Sequence, residues 1–570
     1  MGDILTYLSA ADRLLGSLPT RQHITSSPVL PVTQTHRVRV DRTMPFEFIG
    51  NLVRPFCGLW EADVQFVYSD YDSSLSQLGG DLQADAYLIW LDWRIYHESM
   101  GMEAAAHWLI ERIRLLRGVT EATIWVNNWP EFLELGDLLF GPRVSERGRV
   151  RSFNQYLENN IESIVGCELL DLAGIAYEEK GMVYDRRNDD SSSYPFSDSM
   201  TIRVARYLGA QLLPAVFLPR IKAIALDLDD TLYSGVLGED GWNGVNLDEG
   251  HYELQRLLLK LKNSGIMLTI CSRNEEQDVK TLFKEREDFI LTWSDFTAAS
   301  VNWQSKADNL LLLAQQLNID PSAFLMIDDN PVELLEMMKS HSSVKLLRAD
   351  RNSKETLSKL CHYPGLYQLR LDQEAALRTA DIQANQIRMS LQDNTSEHGT
   401  YMQSLQMIVT IHVNEMSHSG RLFELSRKTN QFNLALRRMT EVEAQKSMDK
   451  QQYVTLTVRL SDILSDSGII GALVCRLEGR KASLIEVLFS CRALGRDIES
   501  VSFDCLLGLL NKRGIEQLTI DSQNGPRNAP AMDWLRRYVQ GATENIAVEG
   551  LLNDVRAVAM KHPSKVEVIE

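Results

Sequence analysis

IKAIALDLDDTLYSGVLGEDG, Ile221 to Gly241, opens as an apolar strand and closes in a loop carrying several carboxylates. Ile221, Ala223 and Ala225 alternate with Ile224 and Leu226, and no polar residue interrupts Ala223 to Leu226, so the spacing predicts a strand covered on both faces in a parallel sheet. The carboxylates fall at its C-terminal end. In an open α/β sheet the ligand crevice lies outside the carboxyl ends of the strands, which sets Asp227 and Asp229 toward a common ligand.

Working outward, His251 to Ser264 carries Leu254, Leu257, Leu258 and Leu261 on one face and stops at Gly265, the pattern of a helix with a C-terminal glycine. Ile266 to Cys271 reads as the next strand and delivers CSRN. Asn302 to Asn318 contains a helix with Leu310, Leu313, Ala314 and Leu317 on its apolar face and Lys306 at its start. AFLMIDDNPVELLEMM is a further apolar strand, followed by Asp328, Asp329, Asn330 and a helix entered through Pro331, a favoured first-turn residue. Alternating strands and helices from Ile221 to about Leu347 predict a doubly wound sheet.

These four stretches, in this order, resemble the four motifs of the haloacid dehalogenase (HAD) phosphotransferases, and DLDDTLYSGVLGEDG resembles the FkbH-like branch of that superfamily. Asp230 stands where most of that branch has Asn, and Tyr233-Ser234 where it has Trp-Gly. The resemblance implies Asp227 as nucleophile, Asp229 as general acid/base, and Thr231, Ser272, Arg273 and Lys306 around the phosphate. It also implies Mg²⁺ held by Asp227, the backbone carbonyl of Asp229 and Asp328, with Asp329 in support. Mg²⁺ takes oxygen ligands and commonly one or two carboxylates. Only about ten residues, 238 to 248, lie in a loop between the first motif and the helix, so a minimal cap and an open site are expected.

The 570 residues are enough for about three or four domains. Residues 1–218 read as an α/β unit, with strands at Ala86–Leu91 and Ala122–Val126 and a helix between them. FkbH-like proteins often carry an SGNH-hydrolase-like domain there, and YDRRNDDSSSYPFSD resembles the end of one. A nucleophilic Ser needs an oriented imidazole, but His23, His36, His97 and His107 all precede the last hundred residues of the unit, and Asn127 and Asn128 read as turn residues as readily as an oxyanion hole. A non-catalytic domain is expected. Residues 219–365 form the HAD-like domain, 366–400 a helical connector and 401–570 a third domain.

In that third domain Tyr453–Leu460, Ile469–Leu477 and Ala482–Cys491 read as a meander feeding a helix, the strand Ile515–Asp521 and a helix from Ala529. This is the element order of the GNAT acyltransferase fold. LFELSRKTNQFNLALRRMTEVE and LFSCRALGRDIE resemble the C-terminal region of FkbH-like proteins. By the GNAT likeness Arg492, Leu494, Gly495 and Arg496 form a pantetheine-binding turn at a helix N-terminus; Cys491, which ends a strand beside Arg492 and just ahead of that helix, is read as the thiol that accepts and passes on the acyl group, with Cys271 as its rival.

Composition sets limits. Hydrophobic residues at 44% and charged residues at 24% describe an ordinary globular protein, while a formal net charge of −18 argues against nucleic-acid binding. Seven scattered cysteines without CxxC spacing fit a reducing cytoplasm, and MGDILTYLSAADRLLG has neither a basic leader nor a long apolar run, so no membrane attachment is expected. An acidic carrier protein would need a local basic surface, for which Lys428, Arg437, Arg438 and Arg496 are the candidates. Together the resemblances imply an enzyme that dephosphorylates D-1,3-bisphosphoglycerate, a three-carbon phosphorylated acid, and loads the glyceryl unit onto the pantetheine thiol of an acyl carrier protein. A stand-alone HAD phosphatase and a non-catalytic carrier-binding module are the alternatives.

Overall fold

The computed structural model describes residues 2–72, 74–76, 78–80, 83–131, 139–141, 145–179, 182–370, 384, 388, 402–490, 493–525, 527–539 and 543–570. Three sheets follow one another along the chain. β1 (Gln34–Arg42), β2 (Ala62–Tyr71), β3 (Ala86–Trp90), β4 (Thr123–Asn127) and β5 (Cys167–Leu170) make an all-parallel sheet in the order β2-β1-β3-β4-β5. β6 (Ala223–Leu226), β7 (Met267–Ser272), β8 (Ala298–Val301), β9 (Phe324–Asp328) and β10 (Lys345–Arg348) make a second, in the order β10-β9-β6-β7-β8.

Every residue of β6, β7 and β9 is buried, because helices cover both faces of the second sheet. Strand order reverses at β6, whose partners β7 and β9 come next and last but one in the chain. That topological switch point is where the carboxyl ends of β6, β7 and β9 leave a crevice. Between β6 and β7 the described chain inserts only the short helix Leu237–Asp240 and the crossover helix Glu249–Asn263, so no cap domain sits over the crevice from that side.

The third sheet is eight-stranded and mixed. β11 (Ile408–Val413), β13 (Tyr453–Ser461), β14 (Asp466–Glu478) and β15 (Lys481–Phe489) pair antiparallel in turn. β16 (Gln517–Ile520) then pairs parallel to β15. β17 (Ile546–Ala547) and β18 (Lys565–Ile569) form the outer edges, and the two-residue β12 (Phe432–Asn433) lies against β15. The meander, helix Ile498–Lys512, β16 and helix Ala529–Arg536 reproduce the expected order, and the chain is α/β with a C-terminal α+β unit.

One feature departs from the expected division. Helix Gly2–Leu15, read as part of the N-terminal unit, packs on the central sheet: Ile4 and Leu8 join its core beside Phe324 and Leu346. Asp12 accepts from Lys359 at 2.6 Å and pairs with Arg348, and Tyr7 bonds Tyr363 at 3.0 Å. The first two sheets also share one continuous apolar core running from Val38 to Leu366, so the chain near residue 218 is a packed crossing and not a loose linker. The third unit is tied to them by Lys222 Nζ donating to the Lys428 carbonyl at 2.7 Å and by Lys446 on Glu121 at 2.5 Å. Of the expected connector, all but the stretch up to residue 370 and the helical Ala384 and Arg388 lie outside the described residues. Among the described residues no helix is long and apolar enough to cross a membrane.

Candidate functional site: a carboxylate and lysine cluster at the switch point

The sequence places each polar group at an element end. β6 runs out at Leu226, and Asp227, whose N–H donates to the Ile327 carbonyl at 3.0 Å, stands just beyond it. β7 ends in Ser272 and β9 in Asp328. Ser305 caps helix Lys306–Gln316 by accepting from the Ala307 N–H, and this start puts Lys306 in the first turn. Asn330 caps helix Pro331–Ser340 in the same way and turns the chain immediately after Asp329.

These ends converge. Ser272 Oγ donates to Asp227 Oδ1 at 2.6 Å, and Lys306 Nζ bridges Asp227 Oδ2 at 2.9 Å and Asp328 Oδ2 at 2.7 Å. Asp227, Ser272, Lys306 and Asp328 are 6%, 1%, 4% and 0% exposed, so their charges act on one another with little screening by water. Burial alone would lower the Lys306 pKa, but the two carboxylates more than offset it and hold the ammonium charged. Burial and the neighbouring Asp227 push Asp328 up to about 7, while Lys306 pulls it down. Asp329 is raised as well, by burial and by Asp227 and Asp230.

Carboxylate oxygens of Asp227, Asp328 and Asp329 lie within 4.8 Å of one another. One ammonium facing three clustered carboxylates leaves negative charge uncompensated, and an all-oxygen set of this kind fits a hard divalent cation such as Mg²⁺. Asp329 thus offers a ligand atom alongside the other two. The buried Thr231 Oγ1 has no partner among the described residues and is available to an incoming group. Arg273, expected at the phosphate, pairs with Glu333 at 3.0 Å on the rim.

Asp229 is held beside that cluster by hydrogen bonds of its own. Its Oδ1 accepts from Tyr233 Oη at 2.7 Å and from the Leu237 N–H at 3.0 Å, and its Oδ2 accepts from Asn274 Nδ2 at 3.0 Å. Asn274 also reaches Ser272 Oγ at 3.3 Å and so links the two sides of the site. The loop is held open at this angle by Asp230, in the left-handed region at φ 48°, whose carboxylate accepts from the Gly235 N–H. Gly235, at φ 108°, is needed there: a Cβ would meet Asp240 Oδ2 at 2.8 Å. Tyr233 and Asn274 are site residues that motif reading missed. The only signals for them were the unusual Tyr-Ser pair and the fourth letter of CSRN.

The third unit departs from expectation at its proposed pantetheine turn. Cys491 and Arg492 lie outside the described residues. Arg496 pairs with the buried Asp462 at 3.2 Å, an acid that also takes Arg388 at 2.8 Å, so its guanidinium is an internal cation. Leu494 and Gly495, the latter at φ 81°, form the turn itself. The helix beyond begins with Asp497 and the buried Glu499, carboxylates set where an anion would bind. The remaining basic candidates are also internally engaged: Lys428 on Glu424 at 3.0 Å, Arg438 on the Thr429 carbonyl at 2.8 Å, Arg437 on Glu443. Cys271 is fully buried, and burial pushes its thiol up and so disfavours the reactive thiolate. In the N-terminal unit Asn127 is spent on the Leu91 backbone and Asn128 on Asp171 and the Ala173 N–H, so neither forms an oxyanion hole.

No family model and no curated protein matches the chain. Among solved structures it is similar to the N-terminal part of the protein BF1531 from Bacteroides fragilis, which contains a phosphatase domain and was crystallised with Mg: 22% identity over 61% of this chain and 98% of that one, with a TM-score of 0.50. At that identity the likeness is one of fold. The ribosomal-protein-S18-alanine N-acetyltransferase of Escherichia coli (14% identity, 24% of this chain, 87% of that one) and the PaiA N-acetyltransferase of Thermoplasma acidophilum (11%, 24%, 95%) each align with a TM-score of 0.19.

Proposed function

We propose that the chain is a phosphoryl-transfer enzyme of the FkbH-like type, which removes a phosphate from a small phosphorylated acid at the central site and passes the acyl group to a thiol. The observation that carries this is the buried constellation of Asp227, Ser272, Lys306 and Asp328 at the switch point. Asp227 attacks phosphorus, the bond to the leaving oxygen breaks, and Asp229 gives that oxygen a proton; Asp229 then takes a proton from the water that hydrolyses the aspartyl phosphate. Lys306, Ser272 and Thr231 bind and orient the phosphoryl oxygens. Asp227, Asp328 and Asp329 would hold Mg²⁺, which would supply charge neutralisation to the phosphate. In D-1,3-bisphosphoglycerate the ester phosphate suits this site, and the acyl phosphate leaves a carbonyl activated for a thiol of an acyl carrier protein.

The test is to incubate the protein with Mg²⁺, 1,3-bisphosphoglycerate generated in place and a cognate holo carrier protein, and to weigh the carrier by intact mass spectrometry. A glyceryl adduct on the pantetheine arm is expected. Phosphate release with no carrier adduct is the result expected of a stand-alone phosphatase, a reading favoured by the completeness of the central site and the internal engagement of Arg496 and Arg438.

Tyr233→Phe separates positioning from binding. Losing a hydrogen bond to a charged group costs about 1.5–3 kcal/mol, so ester hydrolysis should slow about tenfold or more in kcat with KM little changed. A rise in KM alone would show that Tyr233 contacts substrate and does not position Asp229.

A further inference from the structure

The third unit docks on the end of the parallel sheets that lies opposite the crevice. Its ties land on residues just ahead of a strand. Lys446 meets Glu121 two residues before β4, and Glu441 accepts from the Gly166 N–H at 3.3 Å immediately before β5. The Lys428 carbonyl accepts from Lys222 immediately before β6, and Arg527 donates to Ser322 Oγ at 2.5 Å two residues before β9. Arg427 adds the Val216 and Leu218 carbonyls on the segment that leads into β6.

In a parallel sheet the strand starts share one edge, and the ends that deliver Asp227, Ser272 and Asp328 share the other. Lys222 and Asp227 flank β6, and the chain between them spans roughly 17 Å at about 3.3 Å per residue. The docking seam and the nucleophile are therefore separated by the length of the strand. The third unit is seated away from the crevice and does not close it, and no cap domain covers it between β6 and β7. Within one chain, an acyl group held in the third unit has no short path to Asp227.

We propose that the two chemistries are separate encounters with solvent between them, and that thioester formation comes first: the central crevice takes its substrate as a phosphoglyceryl thioester already carried on pantetheine. This rests on the acyl-transfer reading above. The order follows from leaving-group chemistry. A carboxylate leaves phosphorus more readily than an alkoxide, so an open crevice that met the free bisphosphate would spend the acyl phosphate and with it the activation of the carbonyl. Once the thiol has been acylated, the ester phosphate is the phosphoryl group that remains.

In the first step the S–H bond breaks, the sulfur electron pair forms the S–C bond, and the C–O bond to the acyl phosphate breaks, with phosphate leaving with that pair and the thiol proton. In the second, Asp227 attacks the phosphorus of the ester, the P–O bond breaks, and Asp229 protonates the leaving oxygen. Water then splits the aspartyl phosphate, and a glyceryl thioester and inorganic phosphate are left.

The experiment uses the full chain, Mg²⁺, holo carrier protein and carbon-labelled 1,3-bisphosphoglycerate generated in place, with the carrier weighed intact after timed quenches. Phosphoglyceryl carrier should appear first and decay into glyceryl carrier, and Asp227→Asn should stop at the phosphoglyceryl stage. Excess unlabelled phosphoglyceryl carrier, added during turnover, should dilute the label in the glyceryl product in proportion to its excess. Label that enters glyceryl carrier undiluted overturns the inference, because the intermediate then never leaves the protein, as does phosphoglyceryl carrier that wild-type protein cannot dephosphorylate. Wild-type protein that releases phosphate from a small ester but leaves the carrier without an adduct of either mass overturns the acyl-transfer reading itself, and the order of steps with it.

Discussion

Asp227→Asn should abolish release of phosphate from an ester substrate while leaving the fold intact. The side-chain amide keeps the shape of the carboxylate and can still meet Ser272 Oγ, and the backbone N–H still donates to the Ile327 carbonyl, but an amide cannot form an aspartyl phosphate. No neighbour can replace it: Asp328 is tied to Lys306 and the Asn330 N–H, and Asp229 to Tyr233, Leu237 and Asn274. The loss should therefore reach the assay background and not stop at the roughly 10²–10⁴-fold expected when only acid/base help is removed, as in Asp229→Asn. Chelation of Mg²⁺ should silence the wild type as fully and reversibly. Residual turnover by Asp227→Asn above that of Asp229→Asn would place the nucleophile elsewhere.

Lys306→Met is expected to remove activity and to destabilise the protein, in a pH-dependent way. The substitution leaves Asp227 and Asp328 facing each other in a buried site without their cation, and breaking a buried pair costs about 3–5 kcal/mol. Protonation of Asp328 relieves part of that cost, so the deficit should be smaller near pH 5 than at pH 8. The same coupling acts in the metal-free wild type. Asp328 binds its proton more tightly folded (about 7) than its ordinary value of 3.8, so the folded state holds more protons between those values and stability falls as pH rises through that window. Above about 7 the dependence levels off, and Mg²⁺ should flatten it. Thermal melts across this range with and without Mg²⁺ check both statements; a metal-free protein that gains stability from this window upward would show that Asp328 is not the proton-binding group.

The central sheet was readable because β6, β7 and β9 are buried on both faces and so appear as unbroken apolar runs, each ending in the polar residue the site needs. Their strand ends fall within one residue of the positions anticipated from sequence. What sequence could not convey is which surface an amphipathic helix meets: nothing in GDILTYLSAADRLL distinguishes the N-terminal sheet from the central one on which it packs. Long-range ion pairs were equally invisible. Arg496 is 34 residues from Asp462, and its burial there turns an expected anion-binding group into an internal cation. Two-residue pairings such as β12, which lies against Leu488 and Phe489 of β15, carry no periodicity at all.

The most direct test of the central claim is to catch the covalent intermediate. Full-length protein with Mg²⁺ and a labelled phosphate ester, quenched in acid within a single turnover and mapped by peptide mass spectrometry, should carry the phosphoryl group on Asp227, with none in Asp227→Asn or after chelation. Turnover with the label on another residue, or with no enzyme-bound phosphoryl group at any quench time, would contradict the assignment of this site.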